Sequence, residues 1–468
     1  MKHLVTLGLS LSLLSVAVAQ TAGQAAAAVG APIDPGDASA GQALLRLEPP
    51  AQVAARLAWW SDARFGMFIH WGLYSQWGAH YPGADGRLLD GKSEHMMRHL
   101  RLPLKLYSTI AGVFNPVKFD ADEWVRTAKA AGMKYIVITA KHHDGFALWA
   151  SAASDYNVVQ RTPWKHDAIR ELAEACHRGG LRFGVYYSLG RDWEDPDVPT
   201  SIKADGNRRS NDWDWPDETR KDFSKYFERK VKPQVRELLT QYGPIDLLWF
   251  DTPEQIKPAQ SIELMELIHG LQPACIVNQR VGNRYGDYRV AEQEIPAGGW
   301  ADPWETCMTL NRHWGYYLGD EDFKPAETVV RHLIDIASKG GNFLLNVGPT
   351  GEGVIPAKSV ERLRATGDWL ARNGEAIYGT TAGPIAKPAW GRVTQKKGPE
   401  GTTLYLHVFD WPADGRLVVP GLKGGIASAA ILGGAPLTFA HEGGGMILAS
   451  LPVRAPDAIS TTIVVRMK

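Results

Sequence analysis

The segment LLWFDTPEQ, residues 247–255, carries an apolar run into Asp251 and turns at once on Thr252 and Pro253. A charge at the end of so apolar a strand is either a turn-capping aspartate or a reactive group. Other apolar runs end in a similar way. His70 lies in FGMFIHWG, His142 and His143 in KYIVITAKHHDG, Tyr186 and Tyr187 in LRFGVYYS, Arg280 in CIVNQR, and Glu292 and Glu294 in YRVAEQEI. Trp71, Trp149, Trp249 and Trp314 lie close to these ends in the sequence. Hydrogen-bonding side chains among aromatic rings suit a sugar, which offers hydroxyls at its edge and C–H groups on its face. Two carboxyl groups on such a rim suit cleavage of a glycosidic bond, one ionised at the anomeric carbon and one protonated at the leaving oxygen. Asp251 and a later glutamate supply that pair. A metal-dependent hydrolase is the rival reading. Against it, IHWG holds one histidine and no His-x-His pair, and His142 and His143, adjacent on an extended chain, are expected on opposite faces.

These residues need a scaffold that gathers strand ends on one rim. The apolar runs 65–72, 134–145, 181–188, 245–251, 275–280, 288–295, 305–310 and 341–349 alternate with helical patterns. That rhythm predicts an α/β fold, a (β/α)8 TIM-like barrel over residues 51–382, whose reactive groups sit at the C-terminal ends of its strands. DADEWVRTAKAAGMK offers Asp120 or Asp122 as an N-cap and Gly132 as a stop; DAIRELAEACHRGG repeats the pattern and closes on Gly179 and Gly180. From about residue 383 to 468 the texture changes to short alternating strands such as TTLYLHVFDW and STTIVVRMK, which predict a small C-terminal all-β sandwich.

The chain is 468 residues long, 44% hydrophobic and 22% charged, enough to bury a large core. Lys+Arg and Asp+Glu both count 51, so no basic excess draws it to nucleic acid or to an anionic membrane. Cys176, Cys275 and Cys307 are too few and too widely spaced for a disulfide framework or a zinc motif. The N-terminus MKHLVTLGLSLSLLSVAVAQ, with Lys2, a short apolar run and Ala17-Val18-Ala19, predicts a signal peptide over 1–19 and export to the periplasm or beyond, with no membrane attachment after cleavage. Residues 20–50, rich in Ala, Gly and Pro, predict a flexible lead-in.

In order along the chain, RFGMFIHWGLYS, MKYIVITAKHHDGFALW, RFGVYYS, DLLWFD, VNQR, ETCMTLNRHWGY, SKGGNFLLNVGPTGEGVIP and NGEAIYGT resemble the α-L-fucosidases of glycoside hydrolase family 29 over residues 55–380. The resemblance implies a retaining exo-α-L-fucosidase that removes terminal fucose from oligosaccharides or glycoconjugates through a covalent fucosyl-enzyme, with no cofactor and no metal. It makes Asp251 the nucleophile and Glu292 the acid/base, with Glu305 of WETC as the alternative and Glu294 as the third choice. It assigns His70, His142, His143, Tyr186, Trp249, Arg280 and Trp314 to the sugar pocket, and leaves homo-oligomerisation open. Gln279 stands where the family has an aspartate. Glu94 matches a sugar-contacting glutamate, but His95 replaces the tryptophan found next to it in other members. The other functional class is a fucose-binding or inactive relative of the same fold; turnover of an aryl α-L-fucoside separates the two.

Overall fold

All eight predicted runs become strands of one parallel sheet: β1 (Phe65–Ile69), β2 (Tyr135–Lys141), β3 (Arg182–Ser188), β4 (Leu247–Asp251), β5 (Ile276–Val277), β6 (Arg289–Glu292), β7 (Trp304–Thr309) and β8 (Asn342–Val347). The computed structural model describes residues 42–202, 208–422, 424–442 and 445–468. The expected signal peptide and residues 20–41 of the expected lead-in lie outside them. Residues 42–49 pack onto the barrel: Leu44 is buried, and the Leu45 amide donates to the Arg284 carbonyl at 2.8 Å.

The strands pair in the order β5-β4-β3-β2-β1-β8-β7-β6, so the two ends of the sheet are consecutive in the chain. A parallel bridge between Asn278 and Tyr288 joins them, with the Gln279 amide on the Tyr288 carbonyl at 2.9 Å and the Asp287 amide on the Val277 carbonyl. The barrel therefore closes on a short seam. β5 is much shorter than the predicted 275–280 run, because residues 279–281 form a 3-10 turn. The Asn278 side chain takes over from the strand: its amide donates to the Phe250 carbonyl at 2.9 Å and its carbonyl accepts from the Phe250 amide at 3.0 Å.

Alternate residues of each strand face the barrel interior, where Phe68, Val137, Tyr186, Leu247, Trp249, Ile276, Val290, Cys307 and Leu344 form one apolar cluster. Tyr135 fits inside because β1 has a glycine opposite. A Cβ on Gly66 would lie 2.4 Å from the Tyr135 ring. Helix α1 (Pro50–Ala63) lays Val53, Leu57 and Trp60 against the same cluster near the strand starts, and Asn342 donates to the Trp60 carbonyl at 2.6 Å.

Helices α2 (Ala121–Ala130) and α3 (Ala168–Gly179) begin on Asp120 and Asp167, whose side chains accept from Glu123 and Arg170 amides; Gly132 and Gly180 lie just past their ends in left-handed conformation. Helices α4 (Lys232–Gln241), α5 (Pro258–Leu271), α6 (Ala326–Ser338) and α7 (Ala357–Asn373) continue the outer layer. Beyond α7, a five-stranded antiparallel sheet (381–382, 391–398, 401–408, 461–467, 426–431) and a three-stranded one (417–419, 445–449, 438–442) share a core that includes Leu406, Val419, Met446 and Ile463. This is the C-terminal β-sandwich, and its first strand pair already includes Thr381 and Ala382. It docks on α6 and α7 through an Arg392–Asp335 ion pair and the Trp369 indole, which donates to the Ser460 carbonyl at 3.1 Å.

Candidate active site

Asp251, last residue of β4, is the centre of the rim. Its Oδ2 accepts from the Tyr186 hydroxyl at 2.7 Å, and its Oδ1 accepts from Arg280 at 2.7 Å and from the Thr252 amide at 2.9 Å. Burial works to raise the carboxyl, but Arg280 and the Tyr186 hydroxyl outweigh it and hold Asp251 below the ordinary carboxylate range. It is ionised at neutral pH. The other arm of the Arg280 guanidinium donates to Glu292 at 2.6 Å, so one side chain bridges both carboxylates. Trp249, two residues before Asp251 on the same strand, stacks on Tyr186 with centroids 5.4 Å apart and planes 21° apart, and the guanidinium of Arg280 lies 5.1 Å over its ring.

The histidines stand beside this pair. His70 Nδ1 bonds Asn346 Oδ1 at 2.7 Å, and Asn346 in turn donates to the Trp314 carbonyl at 2.7 Å. Trp314 packs on His70 with centroids 5.0 Å apart. His143 Nδ1 bonds Ser188 Oγ at 2.7 Å, while its Nε2 lies 3.8 Å from Asp251. The Ser188 hydroxyl donates to the Arg191 carbonyl, so it accepts from His143, which places the His143 proton on Nδ1. The rings of His142 and His143 are 4.1 Å apart, on one side of the chain and not on opposite faces as an extended chain would place them. The physical reason is that β2 ends at Lys141 after a register shift beyond Thr139, and the chain turns. Burial holds His70 down at about 4, and His142 and His143 well below the usual imidazole range, so all three are neutral hydrogen-bonding groups. His142 Nδ1 is buried and makes no hydrogen bond among the described residues.

Glu94 is also buried here. It accepts from the Gly315 amide at 3.1 Å and bonds His95 Nδ1 at 3.0 Å; His95 packs near His143 and Trp193. Burial raises the Glu94 carboxyl, but the group lies well below the usual value, with the hydrogen bond to His95 the largest of the influences that lower it. The predicted pocket residues His70, Glu94, His142, His143, Tyr186, Trp249, Asp251, Arg280, Glu292 and Trp314 thus come together at the strand ends.

The three later glutamates part company. The Glu292 side chain is 38% exposed at the end of β6. Gln293 then takes a left-handed φ of 58° and ends the strand, leaving Glu294 exposed past it and not in line on the strand face. Glu305 is second in β7, fully buried in the barrel, where it accepts from Tyr135 at 2.6 Å and from the Trp249 indole at 3.1 Å. Burial raises its carboxyl to about 7 against those two bonds. Among the described residues no three His, Cys, Asp or Glu side chains are grouped as metal ligands.

Sequence reasoning passed over Asn346, Asn278, Ser188 and Trp193. Asn346 and Asn278 had a signal, an amide inside or ending an apolar run with no partner nearby in sequence. Trp193 and Ser188 had none, because their contacts are made by a loop that folds back, with the Trp193 amide on the His143 carbonyl at 2.7 Å.

Comparison with known proteins places the chain in a family. Residues 47–375 match the family model described as alpha-L-fucosidase. The plasma alpha-L-fucosidase of Rattus norvegicus is 32% identical over 84% of this chain and 87% of its own. Among solved structures, alpha-L-fucosidase isoenzyme 1 of Paenibacillus thiaminolyticus has a TM-score of 0.79 at 37% identity, covering 89% of this chain and all of the other. The GH29 alpha-L-fucosidase of Bacteroides thetaiotaomicron has a TM-score of 0.77 at 28% identity, covering 91% of this chain and 96% of its own. The chain belongs to the α-L-fucosidase family of glycoside hydrolases.

Proposed function

We propose that the protein is an exported, retaining exo-α-L-fucosidase in which Asp251 is the nucleophile and Glu292 the acid/base. The observation that carries this reading is the shared guanidinium of Arg280, bonded to Asp251 on one arm and to Glu292 on the other. The bridge keeps the two carboxyl groups close enough to act on one glycosidic bond, and the retaining course, with its ~5–5.5 Å pair, is what the family resemblance implies. Asp251 Oδ attacks the anomeric carbon while the Glu292 carboxylic acid gives its proton to the departing glycosidic oxygen, leaving a fucosyl ester on Asp251. Glu292, now a carboxylate, takes a proton from water; the resulting oxygen nucleophile attacks the same carbon and the Asp251–sugar bond breaks. Glu292 is open to solvent, so the water of the second step can reach it. Glu305 has neither solvent nor an open face, which weighs against the alternative assignment. The neutral imidazoles of His70, His142 and His143, with Tyr186 and the Glu94 carboxylate, serve the fucose hydroxyls, and Trp314 its apolar face. His95 makes the edge beside Glu94 more polar than the tryptophan of other members would, a difference that bears on the aglycone. The substrates are fucosylated oligosaccharides or glycoconjugates.

Turnover of aryl α-L-fucosides by three proteins tests the assignment. Asp251→Gly is expected to lose about 10³-fold or more, with azide restoring part of it as a fucosyl azide. Glu292→Ala is expected to lose ~10²–10⁴-fold on poor leaving groups and far less on activated ones. An Asp251→Gly protein near wild-type rate, or a wild-type chain that binds fucose without turning over any aryl fucoside, overturns the reading.

A further inference from the structure

We infer that Glu305 is a positioning residue for this site: from inside the barrel its carboxyl group fixes the Trp249 indole, and that ring fixes the two side chains that hold Asp251. The inference rests on the reading of Asp251 as nucleophile. The connection is continuous. Glu305 Oε1 accepts from Trp249 Nε1 at 3.1 Å, and Oε2 accepts from the Tyr135 hydroxyl at 2.6 Å, so each oxygen has its own donor. The indole it holds is the surface against which Tyr186 stacks and over which Arg280 lies. Tyr186 and Arg280 each donate to a different oxygen of Asp251 at 2.7 Å. The links from Glu305 through Trp249 to Tyr186 lie out of solvent, since Glu305, Tyr135, Tyr186 and Trp249 are all buried.

Packing alone does not explain a carboxyl group here. The interior cluster at this level holds Phe68, Val137, Leu247, Val290, Cys307 and Leu344 beside its aromatic residues, and an aliphatic side chain would avoid the desolvation cost of a carboxyl group. What an aliphatic side chain lacks is direction. A buried indole N–H needs an acceptor, and one acceptor on one side of the barrel selects one of the two ways the ring can lie. Trp249 turned over would present a different edge to Tyr186 and Arg280, and the two donors would no longer meet Asp251 together. Nor can Glu305 act as an acid on the leaving group, since both oxygens are engaged and a tryptophan ring lies between it and the rim.

The test is a double-mutant cycle between Glu305→Met, which keeps size and removes both acceptor oxygens, and Trp249→Phe, which keeps a ring and removes the N–H. Glu305→Met is expected to lower kcat on aryl α-L-fucosides by about 10–100-fold while KM moves less than ~3-fold, by the same factor for good and poor leaving groups. In the Trp249→Phe background it is expected to cost no more than ~2-fold further, because the bond it breaks is already gone. Multiplying losses in the double variant, or an unchanged kcat in Glu305→Met, overturns the inference. So does a loss confined to poor leaving groups, which would make Glu305 the acid/base and leave Asp251 as assigned. Where Glu305→Met fails to fold, Tyr135→Phe replaces it in the cycle, and coupling with Trp249→Phe or its absence decides. A wild-type chain inactive on every aryl fucoside condemns the Asp251 reading instead. The same cycle read as the Kd of L-fucose then judges Glu305 by itself, coupled losses keeping the inference and additive ones overturning it.

Discussion

Asp251 and Glu305 are carboxyl groups inside one barrel whose neighbours drive them in opposite directions, Asp251 down through Arg280 and Tyr186 and Glu305 up to about 7 through burial. The difference has a consequence for stability. A glutamate in the unfolded chain releases its proton near 4.5, so between about 4.5 and 7 the folded chain holds a proton that the unfolded chain has lost. That contribution is present in full below 4.5 and disappears as pH rises through 7, a change of up to ~3 kcal/mol. Buried, neutral His70, His142 and His143 work the other way, since they cost stability as pH falls below 6.5. Comparing wild type with Glu305→Gln cancels the histidines. Urea unfolding at pH 5 and pH 7.5 should show the variant gaining on wild type at the higher pH; a difference that stays constant between the two would mean that Glu305 does not titrate in this window. The gathering of polar groups on one rim was legible at this scale, because polar groups ending apolar runs stand out in one dimension. The different placement of Glu292, Glu294 and Glu305 was not, because it depends on depth in the barrel and on a left-handed residue at Gln293.

The strands were legible as elements because each is an apolar run bounded by turn residues and followed by a capped helix. Their ends were less so. The run 275–280 reads as continuous strand, yet only Ile276 and Val277 pair as one, and Asn278 extends the ladder with its side chain. Similarly, the turn after Lys141 brings His142 and His143 to one side, which the period of a strand denies. Asn278→Ala leaves the Phe250 amide and carbonyl unpaired in a buried site, one residue before Asp251. It is expected to cost ~1–3 kcal/mol in unfolding free energy and to lower kcat through displacement of Asp251. Asn278→Asp, which restores the acceptor alone, should recover part of the stability at most. Equal stability of Asn278→Ala and wild type in urea would remove the side chain from the ladder.

At the scale of the molecule, the change of texture near residue 383 announced a second, all-β body, and alternation of short strands is enough for that. How it sits on the barrel was not legible, since docking depends on single residues far apart: Arg392 with Asp335, Arg331 with the Ile459 carbonyl at 3.1 Å, Trp369 with Ser460. Asp335 also bonds Lys339 at 2.9 Å, so its charge stays compensated if Arg392 is removed. Arg392→Met is therefore expected to lower Tm by a modest amount, about 1–2 kcal/mol of stability, and to leave kcat/KM on an aryl fucoside unchanged. A fall in kcat/KM with no change in Tm would mean that the sandwich reaches the site.

The seam between β5 and β6 gives the barrel a hinge-like line of weakness with the chemistry on both banks. Arg280 lies just past one bank and Glu292 ends the other, while the backbone between them is joined only by the few bonds around Asn278 and Tyr288. In hydrogen-exchange terms, the Gln279 and Asp287 amides should open at a lower free energy than those in the middle of β1 or β8, which are paired on both sides. A sugar-shaped inhibitor seated against both carboxylates would act as a clasp across that line. Its binding should slow deuterium uptake at the seam more than elsewhere in the sheet, by a factor that grows with inhibitor concentration. Equal protection around the whole ring would show that the barrel opens as one body, with no weak line at its active site.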